Sequence, residues 1–388
     1  PSINAFALPG GHIGVHTGLL LAAQSESELA GVLAHEIAHV TQDHIARLVA
    51  AQSQSALPSL AALALAILAA RSNPNVASAA VASTQAFSIQ NQLNFTRDFE
   101  READRIGFDT LSRSGYDPRG MAGFFGKLQR AGRFAEASAP AYLRTHPLTA
   151  ERIADMNARD SDTPYRQVQD SLEFQLVRAR LRARDGTAVE AIARARSALR
   201  EKRYADATAA HYELAVALQR ARRFDEAEVQ VKQLLGAPGT SPMLVSLAGE
   251  IALAAGKPAR AAEYYRAGLT TYPDHRPLVL GEAVALIAAG HAQAALDLLE
   301  PRLALRPDDT RMWRIAARAH ATLGHRLASH RAEAEAYAAA GNLVAAIEQI
   351  NLGLKDKDSS FRDASVAESR RREWQEAERA LRKENGRK

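Results

Sequence analysis

Two histidines and a glutamate near the start of the chain have the spacing of a metal site. His35 and His39 are four residues apart, so on a helix they project from the same face about one turn from each other. Neutral imidazoles in this arrangement can both bind zinc, and Glu36 is placed to polarise a water on the metal. A pair of surface histidines on a helix is the alternative for this short pattern alone. With a third ligand, the pattern predicts zinc-assisted hydrolysis.

The third ligand must lie further along the chain. One class of zinc peptidases uses a histidine six residues after the second, but that position is Ile45, and His44 is expected to turn away. A carboxylate on a later helix is the remaining option. Glu100 and Asp104 share a helical face, so one can bind metal while the other orients a histidine ligand, whereas Glu102 should point elsewhere. Taken alone, this acidic cluster is an ordinary helix with i,i+4 ion pairs.

Length and composition limit the class of protein. A chain of 388 residues is too long for one hydrophobic core, so two or more domains are expected. Frequent alanine and few aromatic residues favour packed helices over sheets. The formal charge of +5 is small and the arginines are dispersed, so nucleic acid is not an expected partner. Cysteine is absent, which excludes disulfides and cysteine-ligated zinc.

The longest apolar run, Leu57 to Ala70, has 14 residues, fewer than the ~20 needed to span a bilayer. No transmembrane segment is therefore expected. A buried core helix is the first interpretation of this run, and a lid over the metal or a membrane-contacting or client-contacting surface are the alternatives. Because the chain starts without Met, we expect a processed or truncated form that has lost its N-terminal part and any signal peptide.

The metal-binding residues need elements to carry them. Alternation and glycines in the first 24 residues predict a hairpin with strands around Phe6–Leu8 and His12–His16. Ser25 and Glu28 have the spacing of a capping box, and a helix is expected from there to about Ala51. Further helices are predicted over 96–114, 118–131 and 150–160.

The second half of the chain carries a repeat. Gly256, Gly290 and Gly324 lie 34 residues apart, and the same interval separates Ala227, Ala261 and Ala295. A period of 34 with a small residue at the turn between two helices is typical of tetratricopeptide repeats. The expected aromatic positions of such repeats are largely unfilled. The sequence therefore predicts a degenerate helical solenoid.

Five short motifs also occur in a fixed order along the first half of the chain. They are Asn4 to Gly11, Gly18 to Leu20, His35 to His39, Glu100 to Gly107 and Thr145 to Pro147. Together they resemble the zinc metallopeptidase family of HtpX and the CaaX prenyl proteases. The resemblance implies a mostly α-helical, gluzincin-type peptidase domain with a small β-sheet over residues 1–160. Residues 165–388 resemble the degenerate tetratricopeptide-repeat domain of periplasmic family members.

The resemblance also implies a role for each site residue. One zinc ion would be bound by His35, His39 and Glu100, with Glu36 as general base and later proton donor. His146 would approach the metal and can take the fourth zinc position, which makes the enzyme latent. Arg152 matches an arginine that helps to hold the substrate or the developing oxyanion.

These inferences lead to two functional hypotheses. The first is a periplasmic zinc endopeptidase that degrades unfolded or misassembled outer-membrane proteins and docks on the assembly machinery through its repeats. An extended substrate would add to the strand around His12 to His16. The second is a chaperone or scaffold with a latent site, in which the repeats bind clients or assembly-machinery proteins. A purely structural zinc is disfavoured, because such sites usually fill all four positions with Cys and His.

Overall fold

The computed structural model describes residues 2–8, 10–50, 96–133, 140–164, 166–236, 241–356 and 360–385. The apolar run Leu57 to Ala70 lies outside these residues, so its predicted role stays open. The chain divides into two compact units, Pro1–Leu181 and Arg182–Lys388. Both are mainly helical, and the prediction of a mostly α-helical fold with a small sheet is confirmed.

The first unit begins with the predicted hairpin. Strands β1 (Ala5–Leu8) and β2 (His12–Val15) pair antiparallel, and Gly10 and Gly11 turn the chain with φ of 87° and 83°. Such angles lie in the left-handed region, which glycine adopts without steric cost. The following helices are α1 (Thr17–Ala22), α2 (Glu26–Thr41), α3 (44–50), α4 (96–113), α5 (Arg119–Arg133), α6 (Ala141–Thr145) and α7 (Ala150–Asp162). Helix α8 (Leu172–Arg184) contains the division between the units.

Helix α2 carries the two histidines and starts close to where the sequence predicts. The Ser25 hydroxyl accepts a hydrogen bond from the Glu28 N–H at 3.2 Å, which is one half of the capping box. The other half differs, because the Glu28 carboxylate accepts from the Gln24 N–H and from Lys127. The cap still satisfies two amides at the helix start, and it also ties α2 to α5.

The prediction of one continuous helix to Ala51 is wrong. Helix α2 ends at Thr41, and Asp43 adopts a left-handed conformation with φ of 53° before α3 begins. A left-handed residue cannot continue an α-helix. The break therefore changes the direction of every side chain after it.

Glycines in α4 and α5 let these two helices pack closely against α2. A Cβ on Gly120 of α5 would lie 2.5 Å from the Ser27 carbonyl oxygen, and one on Gly107 of α4 would lie 3.0 Å from the His35 nitrogen. Both distances are shorter than an ordinary contact. The absence of a side chain at Gly107 therefore brings α4, with its carboxylates, against the metal-binding face of α2.

The second unit is a row of paired helices. Its helices after α8 are α9 (Ala188–Arg200), α10 (Ala207–Arg220), α11 (Phe224–Leu235), α12 (Pro242–Ala254), α13 (Pro258–Thr271), α14 (Arg276–Ala288), α15 (Ala292–Leu305), α16 (Thr310–Thr322), α17 (Arg326–Ala339), α18 (Leu343–Gly353) and α19 (Phe361–Asn385). Throughout the described ranges, every helix is too short or too polar to cross a membrane.

The period of 34 recurs in the backbone. Gly256, Gly290 and Gly324 all have positive φ, at 74°, 84° and 78°, and each lies in the turn between the two helices of a pair. Arg222 holds the equivalent position one repeat earlier, with φ of 58°. Ala227, Ala261 and Ala295 are fully buried, because only a small residue fits where the paired helices approach.

Candidate metal centre

Four side chains converge at the face where α4 and the end of α6 meet α2. Ligand atoms of His35, His39, Glu100 and His146 all lie within 4.8 Å of one another. The His39 Nε2 atom lies 3.0 Å from His35 Nε2 and 3.4 Å from Glu100 Oε1. The His146 Nδ1 atom lies 2.9 Å from Glu100 Oε1 and 3.4 Å from His35 Nε2. The structure thus brings together the predicted ligands and His146.

This donor set fits zinc. Three imidazole nitrogens and one carboxylate are ligands that zinc accepts, and ligand atoms of a tetrahedral zinc lie about 3.4 Å from each other. Within the described part of the chain, both carboxylate oxygens of Glu36 are buried without a hydrogen-bond partner. Such orphaned oxygens are costly unless a cation or a polar ligand compensates them. These residues can therefore hold one zinc ion.

Glu36 lies beside the ligands without joining them. It is fully buried, and its Oε1 atom is 3.5 Å from His146 Nε2. Burial raises the pKa of Glu36, and the nearby His146 and His35 offset this only in part. A carboxylate whose pKa is shifted toward neutrality is suited to accept a proton and return it.

The charges of the site act on its ligands in opposite directions. Burial lowers the pKa of His35, but the Asp104 and Glu100 carboxylates outweigh burial and raise that pKa to about 9. Burial raises the pKa of Glu100, but contacts with His146, His35 and His39 outweigh burial and lower that pKa well below the usual range. Glu100 is therefore ionised, as a metal ligand must be.

Asp104 supports the first histidine from behind. Its Oδ1 atom lies 3.0 Å from His35 Nδ1, which leaves His35 Nε2 facing the other ligand atoms. The Arg152 guanidinium donates two hydrogen bonds to Asp104, at 2.7 and 2.8 Å, and its Nη1 lies 2.7 Å from Glu100 Oε2. The Arg152 Nη1 also donates to the Pro147 carbonyl at 2.8 Å. These contacts support a role for Arg152 in holding the carboxylates, and its contact with substrate stays a prediction.

His146 is held by the short helix that precedes it. The backbone N–H of His146 donates to the Tyr142 backbone carbonyl at 2.8 Å. The His146 ring stacks on the fully buried Tyr142 ring, with centroids 4.6 Å apart. Sequence reasoning missed Tyr142. Its position four residues before His146, on the same helical face, is the signal that indicates the contact.

His44 and Glu102 also contact the site, although the sequence suggested that both would point away. The His44 ring is buried, its Nδ1 atom lies 2.9 Å from His39 Nδ1, and its Nε2 atom lies 3.2 Å from Glu102 Oε2. The break at Asp43 is the physical reason, because it turns His44 back toward α2. Neither residue faces the metal-binding atoms, but both stand behind a ligand.

Comparison with known proteins agrees with this architecture. The model of peptidase family M48 matches residues 1–160, and a tetratricopeptide-repeat model matches 252–319. The β-barrel assembly-enhancing protease of Escherichia coli strain K12 is 34% identical over 357 residues, which cover 90% of this chain and 72% of that protein. A putative β-barrel assembly-enhancing protease of Vibrio cholerae is 42% identical over 237 residues, or 60% of this chain and 49% of that protein. The mitochondrial metalloendopeptidase OMA1 of Arabidopsis thaliana is 34% identical over 173 residues, which cover 44% of this chain and 33% of that protein.

Fold, site and family match together define a metallopeptidase with a tetratricopeptide-repeat region. More narrowly, the chain belongs to the family of β-barrel assembly-enhancing proteases. The resemblance found in the sequence motifs is thereby confirmed. The match spans about half the length of the Vibrio cholerae relative.

Proposed function

We propose that this chain is a zinc endopeptidase that cleaves unfolded or misassembled proteins. The observation that carries the proposal is the buried cluster of His35, His39 and Glu100 with Glu36 directly beside it. When bound there, zinc would supply Lewis-acid chemistry and lower the pKa of water at the site. The family resemblance of the sequence motifs implies the same three ligands and the same general base.

Glu36 performs the proton transfers in this proposal. Its buried carboxylate accepts a proton from the attacking water and then donates it to the amine that leaves when the peptide bond breaks. Because burial raises the pKa of Glu36, the protonated form is reached more easily than for a solvated glutamate. Asp104 and Arg152 hold the surrounding groups in position during both steps.

An extended backbone is the substrate form that the fold favours. In the described ranges the sheet has two strands, so β2 (His12–Val15) has one edge against β1 and one edge with no paired strand. A substrate chain can add to such an edge through main-chain hydrogen bonds. We infer that clients are unfolded or misassembled chains, since their backbone amides are free to pair.

The relatives support a cellular setting for the reaction. Their name, β-barrel assembly-enhancing protease, supports a role in outer-membrane assembly. We infer that the chain acts in the periplasm, in the quality control of outer-membrane proteins. Helical repeats of this type bind peptide segments or partner helices. We infer that the second unit contacts clients or the assembly machinery.

A latent-site chaperone or scaffold is the second candidate, and His146 is the observation that favours it. This histidine lies among the metal-binding atoms, so it can fill the position that a water needs. In that state the repeats would carry the function, and hydrolysis would wait for His146 to move.

The proposal is tested by incubating the zinc-loaded protein with a urea-unfolded outer-membrane β-barrel protein. Wild type is compared with Glu36→Gln, which keeps the size of the side chain but cannot accept the proton. We expect fragments from wild type, none after chelation, and a loss of at least ~10²-fold in rate for the variant. A zinc-loaded wild type that cleaves no unfolded protein, or a variant that cleaves equally well, would contradict the peptidase function.

A further inference from the structure

His44 is bonded on both sides of its ring within the first unit. One nitrogen faces the Nδ1 atom of His39, at 2.9 Å, and the other faces Glu102, at 3.2 Å. Arg47 donates to the same Glu102 oxygen at 2.9 Å. The ring of His44 also stacks on Phe99, with centroids 4.5 Å apart and planes 16° apart. His44 is therefore fixed in both position and rotation.

The chemistry of these neighbours decides where the protons lie. A carboxylate only accepts hydrogen bonds, so the His44 nitrogen beside Glu102, Nε2, must carry a proton. A neutral His44 then has a bare Nδ1, which can only accept. The facing Nδ1 of His39 must donate, which leaves His39 Nε2 without a proton and free to bind metal.

The opposite arrangement would block the site. If the group at this position donated a hydrogen bond to His39 Nδ1 instead of accepting one, that nitrogen could carry no proton. The proton of a neutral His39 would then lie on Nε2, the atom that is 3.0 Å from His35 and 3.4 Å from Glu100. A protonated nitrogen cannot bind a metal. An acceptor beside His39 Nδ1 therefore keeps Nε2 available for metal binding.

We propose that His44, held by Glu102 and Arg47, is a positioning residue that sets the tautomer and orientation of His39 for metal binding. The inference rests on the proposed metal centre. It gives the two histidine ligands different supports: His35 is oriented by the Asp104 carboxylate, and His39 by another imidazole backed by a carboxylate. Loss of such outer partners typically costs about 10–100-fold in metal affinity.

The test compares two substitutions of nearly equal shape. His44→Asn keeps an acceptor near the position of Nδ1, whereas His44→Leu offers none. We expect the zinc dissociation constant, measured by chelator competition, to rise about 10–100-fold in His44→Leu and to be largely restored in His44→Asn. His330→Leu, at a histidine that bonds Gln349 in the second unit, is the matched control and should bind zinc as wild type does.

A second measurement needs no variant and covers the case in which His44→Leu does not fold. Long-range proton–nitrogen correlation spectra of the zinc-loaded wild type report the tautomer of each histidine. We expect His44 to be protonated at Nε2 and bare at Nδ1. A proton on Nδ1 of His44, or equal zinc affinity of wild type and a folded His44→Leu, would overturn this inference while leaving the proposed function intact. A wild type that binds no zinc would overturn both.

Discussion

Buried charge is the main feature of the site at the scale of single residues. Glu36, Glu100 and Asp104 are all nearly inaccessible to solvent, and Arg152 is the buried cation that faces Asp104 and Glu100. Burying carboxylates is costly unless opposite charges and hydrogen bonds compensate them. A zinc dication would supply the missing positive charge. The same groups therefore explain both why metal binds here and why the site needs a supporting layer behind its ligands.

His146 has the most direct effect on activity in this account. Replacing His146 with alanine removes the imidazole that competes for the fourth position, while His35, His39 and Glu100 remain. We expect cleavage of an unfolded substrate to rise about tenfold, the equivalent of about 1.4 kcal/mol. Initial rates at equal zinc content provide the measurement. A fall in rate with zinc retained would show instead that His146 assists the reaction.

At the scale of elements, backbone turns set the spacing of the repeats. Arg222 takes up the left-handed turn that Gly256, Gly290 and Gly324 occupy in later repeats, and it is exposed. We expect Arg222→Gly to stabilise the protein by about 0.5–1 kcal/mol. The substitution removes the steric cost of a left-handed backbone conformation, and this gain outweighs the greater unfolded-state entropy of glycine. Urea unfolding provides the measurement.

Two controls separate the backbone effect from the side chain. Arg222→Ala removes the side chain but keeps the strained backbone, so it should bring no gain. Gly290→Ala should destabilise the protein by about 1 kcal/mol, since alanine is disfavoured at positive φ. Equal stability of Arg222→Gly and Arg222→Ala would contradict the argument.

An ion pair between two helices makes the stability of the repeat region depend on pH. The Arg276 guanidinium, bonded to Asp309 at 2.6 and 2.9 Å, lowers the pKa of that carboxyl. Because the folded-state pKa lies below the unfolded value of about 3.9, this stabilisation is present above pH ~4 and is lost as the pH falls through the folded-state pKa. The Asp309 carboxylate also caps α16 by accepting from the Met312 N–H.

Asp309→Asn tests this pH dependence, because asparagine can still cap the helix but carries no charge. We expect a loss of less than about 1 kcal/mol at pH 7, since the Arg276 side chain is 42% exposed, and a difference that shrinks as the pH falls through the folded-state pKa. Urea unfolding of both proteins across this range gives the comparison, with Asp308→Asn at the exposed neighbour as control. A difference that is the same at pH 7 and pH 3 would contradict the charge argument.

At the scale of the whole molecule, the features that could be predicted from the sequence are those set by the spacing of nearby residues. The convergence of His35 and His39 on one face follows from their separation on a helix, and the 34-residue period follows from recurring glycines and alanines. The role of His44 could not be predicted in this way. It depends on a single left-handed residue, Asp43, that ends α2 and reverses the expected direction of the side chain.

Other features depend on contacts between distant segments. The carboxylates of α4 reach α2 only because Gly107 lets the helices approach, and 72 residues separate it from His35. Arg152 finds Asp104 across 48 residues. No periodicity encodes such pairings, so the sequence alone could not show that Arg152 binds carboxylates. The limits of the two domains, 1–160 and 165–388, stay a prediction.

The central claim, that these side chains hold one zinc ion and that His146 completes the set, is tested most directly by X-ray absorption at the zinc edge. We predict one zinc per chain, with multiple-scattering features of three imidazoles in wild type. In His146→Ala we predict two imidazoles, with a light-atom ligand in place of the third. A chain that binds no zinc, or a wild-type spectrum with fewer than three imidazoles, would contradict the account.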